Sequence, residues 1–278
     1  MLGIGLALAA SLSWGLSDYL GGVKSRIVPL LTLIAVSQLA GLALIGVLAV
    51  ATHSYPDGRT ALYAVLAGSA GLVALAAFYR GMAIGRISIV APISATGAAL
   101  PVAVGLAGGE RPAVAALLGI ALALIGVILA SAENHPERGR SLAAEVPLAL
   151  GAALGFGVFF LFVAKASEHH HAIAATLMLR LTTAPLVLLL LLVLRQAPRI
   201  PAGNLHWLIL IGLLDSGANT LYALATDHGL LSLVSVLSSL YPLTTVLLAQ
   251  ALLREHVSRH QRLGIVAALA GVVLISAS

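Results

Sequence analysis

Ala123-Leu-Ile-Gly-Val-Ile-Leu-Ala-Ser-Ala132 returns 145 positions later as Ala268-Leu-Ala-Gly-Val-Val-Leu-Ile-Ser-Ala277, with seven of ten residues identical. The same offset superposes Glu110 on Glu255 and Gly119-Ile120 on Gly264-Ile265. Further back, Leu6-Ala-Leu matches Leu148-Ala-Leu, and Ala10, Leu12 and Gly15 match Ala152, Leu154 and Gly157, now at an offset of 142. Matches that keep their order with small changes of offset are the mark of an internal duplication.

The duplicated unit is apolar almost throughout. Of 278 residues 60% are hydrophobic and 9% charged, with a mean hydropathy of +1.07. Soluble domains carry about 25% charged residues, so this chain lacks the charge for a water-facing surface, whereas lipid tails solvate exposed Leu, Val and Ala. A membrane-crossing helix needs about 20 apolar residues. Ten such runs are predicted, at 2–21, 29–50, 61–82, 87–107, 112–131, 146–166, 172–194, 206–226, 230–251 and 262–278. The first has no Lys or Arg before it and is read as a retained membrane helix, not a cleaved signal. The longest connection, which includes Glu133, Glu137, Arg138 and Arg140, separates two groups of five.

Five is odd, so the second unit starts on the opposite side of the bilayer from the first. The expected fold is an all-α membrane protein of ten transmembrane helices arranged as two inverted five-helix repeats. The first repeat covers 1–132, the connection 133–145, and the second repeat 146–278. Inverted repeats recur in secondary transporters, with the substrate site at the midplane between them. Gly119 with Ala123, and Gly264 with Ala268, are small residues four apart that let helices five and ten approach closely.

Several motifs distributed over the chain carry a family resemblance. They are Ser13-Trp14-Gly15, Tyr79-Arg80-Gly-Met-Ala-Ile-Gly-Arg-Ile-Ser-Ile-Val-Ala-Pro-Ile93, Gly109-Glu110-Arg111-Pro112 and Gly119-Ile-Ala-Leu-Ala-Leu-Ile-Gly-Val-Ile-Leu129. Leu240-Tyr-Pro242, Arg254-Glu255 and Gly264-Ile265 continue them in the second half. In their order, spacing and duplication the sequence resembles the EamA family of the drug/metabolite transporter superfamily. The resemblance implies ten helices with both termini on one side. It also implies a central cavity lined by helices one, three, four, six, eight and nine, peripheral helices five and ten, and movement of small metabolites. The first half has no proline aligned with Pro242; Pro101 lies a turn away from the matching position, Gly97.

A charge at the centre of a membrane helix costs about 2.5–3.5 kcal/mol on insertion scales, so each one here is a candidate. Asp215 lies mid-span, with Asn219 and Tyr222 at i+4 and i+7 on the same face. Ser11, Trp14 and Asp18 form a second stripe in helix one, where Trp14 offers an aromatic wall with one donor. Tyr79, Ser94, Ser235 and Ser239 complete the expected substrate-binding set; serines also bond back to their own helix. Pro92 and Pro242 interrupt the backbone ladder, which membrane proteins tolerate where backbone lines a cavity. If transport is coupled to protons, Asp215 or Asp18 carries the proton. Arg180 is expected to form a structural ion pair with an acid such as Asp215, on a helix not expected to line the cavity. Trp207 reads as an interface anchor.

Other chemistries find little support. No cysteine is present, and adjacent imidazoles such as His169-His170-His171 converge poorly on one ion, so no metal and no cofactor are expected. No histidine lies mid-span beside a nucleophile, and neither HExxH nor a phosphate-binding Gly-Lys-Ser/Thr motif occurs. The net charge of +5 is scattered through loops, which argues against nucleic acid. Aromatic residues make up 5% of the chain, so an extensive aromatic cage is not expected. The expectation is a non-enzymatic secondary transporter, monomer or homodimer, in the plasma (cytoplasmic) membrane, moving a small organic molecule. The alternatives are an intramembrane enzyme acting on lipid-linked substrates and a non-transporting scaffold.

The odd-numbered loops hold eleven cationic residues (Lys24, Arg26, Arg80, Arg86, Arg138, Arg140, Arg195, Arg199, Arg254, Arg259 and Arg262) against three (Arg59, Arg111 and Lys165) in the even-numbered ones. The positive-inside rule then puts the termini outside, while the family resemblance implies cytoplasmic termini.

Overall fold

The computed structural model describes residues 1–85, 87–130, 142–169, 171–253 and 259–276. Among them every regular element is helical: α1 (Leu2–Lys24), α2 (Leu30–Thr52), α3 (Gly58–Ile84), α4 (Ile87–Ala95), α5 (Ala99–Ala107), α6 (Val114–Ala130), α7 (Leu142–Ser167), α8 (Ala172–Val193), α9 (Leu205–Thr226), α10 (Leu231–Ser238), α11 (Tyr241–Leu253) and α12 (Arg259–Ser276). Five of these, α2, α3, α7, α8 and α9, are long and apolar enough to cross a membrane. Of the connection expected over 133–145, residues 133–141 lie outside the described residues, and helix is already present at Leu142. Arg86, Arg138, Arg140, Arg254 and Glu255 also lie outside them.

Local chemistry sets the boundaries. Pro29 and its fixed φ precede α2, which stops at His53 in the left-handed region (φ 51°). Asp57 caps α3: its carboxylate accepts the Thr60 N–H at 2.7 Å, satisfying one of the orphan donors of the first turn. The fourth and ninth predicted spans are each broken in the middle. A 3₁₀ turn at Thr96–Ala98 separates α4 from α5, and Ser239–Leu240 separates α10 from α11. Pro101 is the third residue of α5 and Pro242 the second of α11, positions where a missing N–H costs no helix bond. The two prolines are therefore out of register in sequence yet stand just after breaks in matching places.

Close backbone approach explains which helices meet. Gly15 of α1 lies against Tyr241 and Thr244 at the start of α11, with no room for a Cβ. Gly157 of α7 takes the same place against the other break: a Cβ there would lie 2.7 Å from the Gly97 carbonyl oxygen. α6 and α12 cross at Gly119, Ala123, Ala268 and Gly271, where a Cβ on Gly119 would stand 2.8 Å from the Gly271 carbonyl. Small residues at such crossings allow the van der Waals contact that drives association where lipid gives no hydrophobic help. Elsewhere α1 packs on α9, α7 on α3, α2 on both α8 and α9, and α8 on α3. The outer faces carry exposed Val47, Val73, Leu118, Leu154, Leu192 and Leu263, a coat suited to lipid.

Candidate functional site

At mid-length of the helices, α1, α2, α3, α7, α8, α9 and the start of α11 surround a cavity enclosing about 560 Å³ of empty space, part of it open to solvent. Its polar wall is built around Arg180. Four residues N-terminal to Ala184 and inside the apolar run of α8, this side chain is 2% exposed and so needs partners. Its Nη2 donates to Asp215 Oδ2 at 2.7 Å, and its Nη1 donates to Gln38 Oε1. Thr183, one turn on, donates to the same Gln38 oxygen at 2.7 Å. Trp14 Nε1 donates to Asp215 Oδ1 at 3.2 Å. The Asp215 carboxylate is thus held from two sides, and α1, α2, α8 and α9 are tied together through it.

Two serines place Trp14. Ser13 Oγ donates to the Leu214 carbonyl at 2.8 Å and Ser17 Oγ to the Ile211 carbonyl at 3.1 Å, so α1 is bonded to α9 one turn apart on either side of the indole. Asp18 follows on the same side of α1 and lines the cavity at 8% exposure. Asn219 lies one turn beyond Asp215 and also lines it.

The opposite wall is aromatic. Phe156, Phe159 and Phe160 of α7, with Trp14 and Tyr241, face the cavity alongside Leu72, Leu75 and Leu179. Trp14 and Phe160 meet edge to face with centroids 5.6 Å apart, and Tyr222 closes the cluster 4.9 Å behind Phe160. A composition poor in aromatics thus hides a local concentration of five around one cavity.

Of the residues singled out in the sequence, Trp14, Asp18, Asp215 and Asn219 line the cavity, and so does Arg180, on a helix expected to be peripheral. The other five do not reach its wall. Tyr222 is fully buried, its hydroxyl donating to the Phe160 carbonyl at 3.1 Å and bonded to Ser235 Oγ, so both support the aromatic cluster from behind. Ser94 bonds the Tyr241 hydroxyl at 3.0 Å and orients that ring. Ser239 bonds back to the Val236 carbonyl at the α10–α11 break. Tyr79 is 1% exposed, its ring packed on Gly21. These side chains were expected to touch substrate; periodicity puts them on the correct face but too deep in the packing. Gln38, Thr183 and the three phenylalanines were missed. A lone amide in an apolar span, and a Thr three residues from Arg180 on the same face, were the available signals.

Away from the cavity, Lys24 Nζ bonds Asn204 Oδ1 at 2.9 Å and lies 5.2 Å over the Trp207 ring, fixing the α1–α2 end to the start of α9. His171 Nδ1 bonds Thr60 Oγ1 at 3.1 Å, and His170 lies outside the described residues. Among the described residues no three His, Asp or Glu side chains gather in a metal-binding set.

Lipid-suited outer faces and long apolar helices around a polar cavity define a multi-pass integral membrane protein. Residues 144–277 match the model of the EamA-like transporter family, a family of the drug/metabolite transporter superfamily. A solved structure titled only "Crystal structure of protein" matches the fold with a TM-score of 0.77 at 17% identity, covering 99% of this chain and 96% of that one. No curated protein matches the chain.

Proposed function

We propose that the protein is a secondary transporter that moves a small organic metabolite across the cytoplasmic membrane by alternating access, with ten spans in two inverted five-helix repeats. The observation that carries this reading is the cavity itself, whose polar residues come from both halves: Trp14, Asp18 and Gln38 from the first, Arg180, Asp215 and Asn219 from the second. The packing supports the repeat. α1 on α9 is matched by α7 on α3, and α2 on α9 by α8 on α3. α2 meets α8, and α6 meets α12, each pair being related to itself. Such a pairing lets the two units exchange conformations and so exchange which side is open.

In this reading Trp14, Asp18, Asp215 and Asn219 contact substrate, and Arg180 holds Asp215 in place. Asp215 has its carboxylate engaged by Arg180 and Trp14, which leaves Asp18 as the better candidate for a coupling proton. The test is flux in proteoliposomes with and without a pH gradient, using the solutes that accumulate in medium from cells expressing the protein. Saturable flux that loses its response to the gradient in Asp18→Asn supports the reading. Absence of saturable flux for every such solute sinks it. Orientation is read separately: in this cysteine-free chain, Ser141→Cys labelled alone by an impermeant thiol reagent on whole cells means cytoplasmic termini, and Gly58→Cys labelled alone means external ones.

A further inference from the structure

We infer that the cavity takes a monocationic organic amine with an apolar body, whose charge is matched by Asp18 and whose body lies on the aromatic wall. The inference rests on the transport reading and adds its substrate class. Among the described residues three charged side chains line the cavity: Asp18, Arg180 and Asp215. Arg180 is 2% exposed with both terminal nitrogens engaged, and its Nε is buried with no hydrogen-bond partner among the described residues. One terminal nitrogen bonds Asp215 and the other Gln38. Its Nε lies on the α2 side, 3.2 Å from where a Cβ on Gly41 would stand. The guanidinium fork that recognises carboxylates and phosphates is therefore already in use, and its charge is matched by Asp215.

Asp18 is the remaining charge. It is 8% exposed, lines the cavity, and has no hydrogen-bond or ion-pair partner among the described residues. A buried carboxylate without a partner is costly, and an unmatched buried polar group in a native fold calls for an explanation such as a ligand. Facing the same space are Trp14, Phe156, Phe159, Phe160 and Tyr241, whose ring faces attract cations. Among the described residues, an anion would meet two carboxylates and one cation already paired with Asp215. A zwitterion would place its carboxylate in the same field. A neutral solute would make no use of the Asp18 charge and would leave that side chain to be matched by a proton alone. A cation with an apolar body satisfies both walls.

The experiment is calorimetric titration of the purified full-length protein in detergent with three probes: benzyltrimethylammonium, benzyl alcohol and phenylacetate. Only the cation is expected to bind. Asp18→Asn weakens it about 30-fold or more, the usual cost of removing one partner of a buried charge pair. Asp18→Glu keeps binding within a few-fold, and Phe156→Leu, which leaves every charge in place, weakens it several-fold. Size-exclusion elution of each variant checks folding, and the Phe156 variant keeps the test decisive if Asp18→Asn does not fold. Tight binding of phenylacetate, no binding of the cation to the native protein, or cation affinity unchanged in a folded Asp18→Asn overturns the inference. Flux separates the two claims. Saturable flux of an anionic or neutral solute without cation binding removes the substrate class and leaves transport standing; cation binding without flux of any solute does the reverse.

Discussion

Along α1 and α9 the polar contacts sit at mid-length: Ser13 and Ser17 bond carbonyls of α9, and Trp14 bonds Asp215 between them. Along α3 and α7 the mid-length contacts are apolar. The Phe159 ring covers Gly71, with a Cβ there 2.8 Å from the ring, and Gly155 meets Ala74. Polar contacts on this side wait until the helix ends, where Arg59 pairs with Glu168 and Thr60 bonds His171. The two pairs occupy corresponding places in the packing and carry opposite chemistry. In the proposed two-repeat reading, the repeat fixes where backbones meet and leaves each copy its own choice of what fills the cavity between them. One wall became charged and the other aromatic. Depth decides what a polar contact is worth: at mid-length water and salt compete for it less than they do at the ends.

The largest effect should come from breaking the mid-length network. Arg180→Met leaves the mostly buried Asp215 carboxylate with Trp14, and Gln38 with Thr183, as their remaining partners among the described residues. Removing one member of a buried pair costs about 3–5 kcal/mol, so the apparent melting temperature in detergent should fall sharply. The double variant Arg180→Met/Asp215→Leu should recover part of that loss, because no lone charge remains buried. A single variant as stable as the native protein would mean that water already reaches the pair, and the contrast of depth would fail.

Smaller losses should separate the two walls further. Phe159→Ala empties the ring from over Gly71 and costs about 3 kcal/mol, the low end for buried aromatics, since lipid-facing packing gains less from the hydrophobic term. Ser17→Ala removes one interhelical bond, worth about 0.6 kcal/mol on average in membrane bundles. Both losses should be the same in dilute and concentrated salt, because neither variant changes a charge. Chemical unfolding in mixed micelles measures both. A Ser17→Ala cost equal to that of Phe159→Ala would erase the difference in how the walls are held.

Much of this was legible in the sequence for a physical reason: a polar residue in a lipid-solvated helix stands out, and the 3.6-residue period tells which others share its face. That is how Trp14, Asp18, Asp215 and Asn219 come together on paper as they do in space. Arg180 was seen as a partner for an acid, but the placement of α8 beside the cavity was not, because periodicity ranks faces within a helix and says nothing about which helices are neighbours. The breaks at Thr96–Ala98 and Ser239–Leu240 were not located, although Pro92 and Pro242 signalled an interrupted backbone, because a few Ser and Thr residues leave each run apolar enough to read as one span. Phe156, Phe159 and Phe160 were hidden by an average: 5% aromatic residues over the chain says nothing of three within five positions. Tyr222 and Ser235 share the correct face yet spend their hydroxyls on each other. Whether a side chain reaches a void or stops short of it depends on the bulk of its neighbours, here Phe160, which only packing fixes.

The smallest effects belong to the ends of α3. Arg59 and Glu168 are 54% and 38% exposed, so Glu168→Gln should cost well under 1 kcal/mol and the cost should shrink as salt rises from about 0.1 to 1 M. Asp57, fully exposed at the cap of α3, titrates below the usual carboxylate range, first because the Thr60 backbone N–H donates to it, then through the Thr60 side chain. A lowered folded value means that the cap contributes above the ordinary carboxylate pKa of about 4. That contribution is lost as pH falls through the lowered value. Asp57→Asn should therefore lie slightly below the native protein in melting temperature near neutrality, and the gap should close in acid. The mid-length Ser17→Ala loss should show no such pH dependence. Parallel pH profiles for Asp57→Asn and Ser17→Ala would show that the end of α3 is no wetter than the middle of α1, and that position along the helix does not set the response of these contacts.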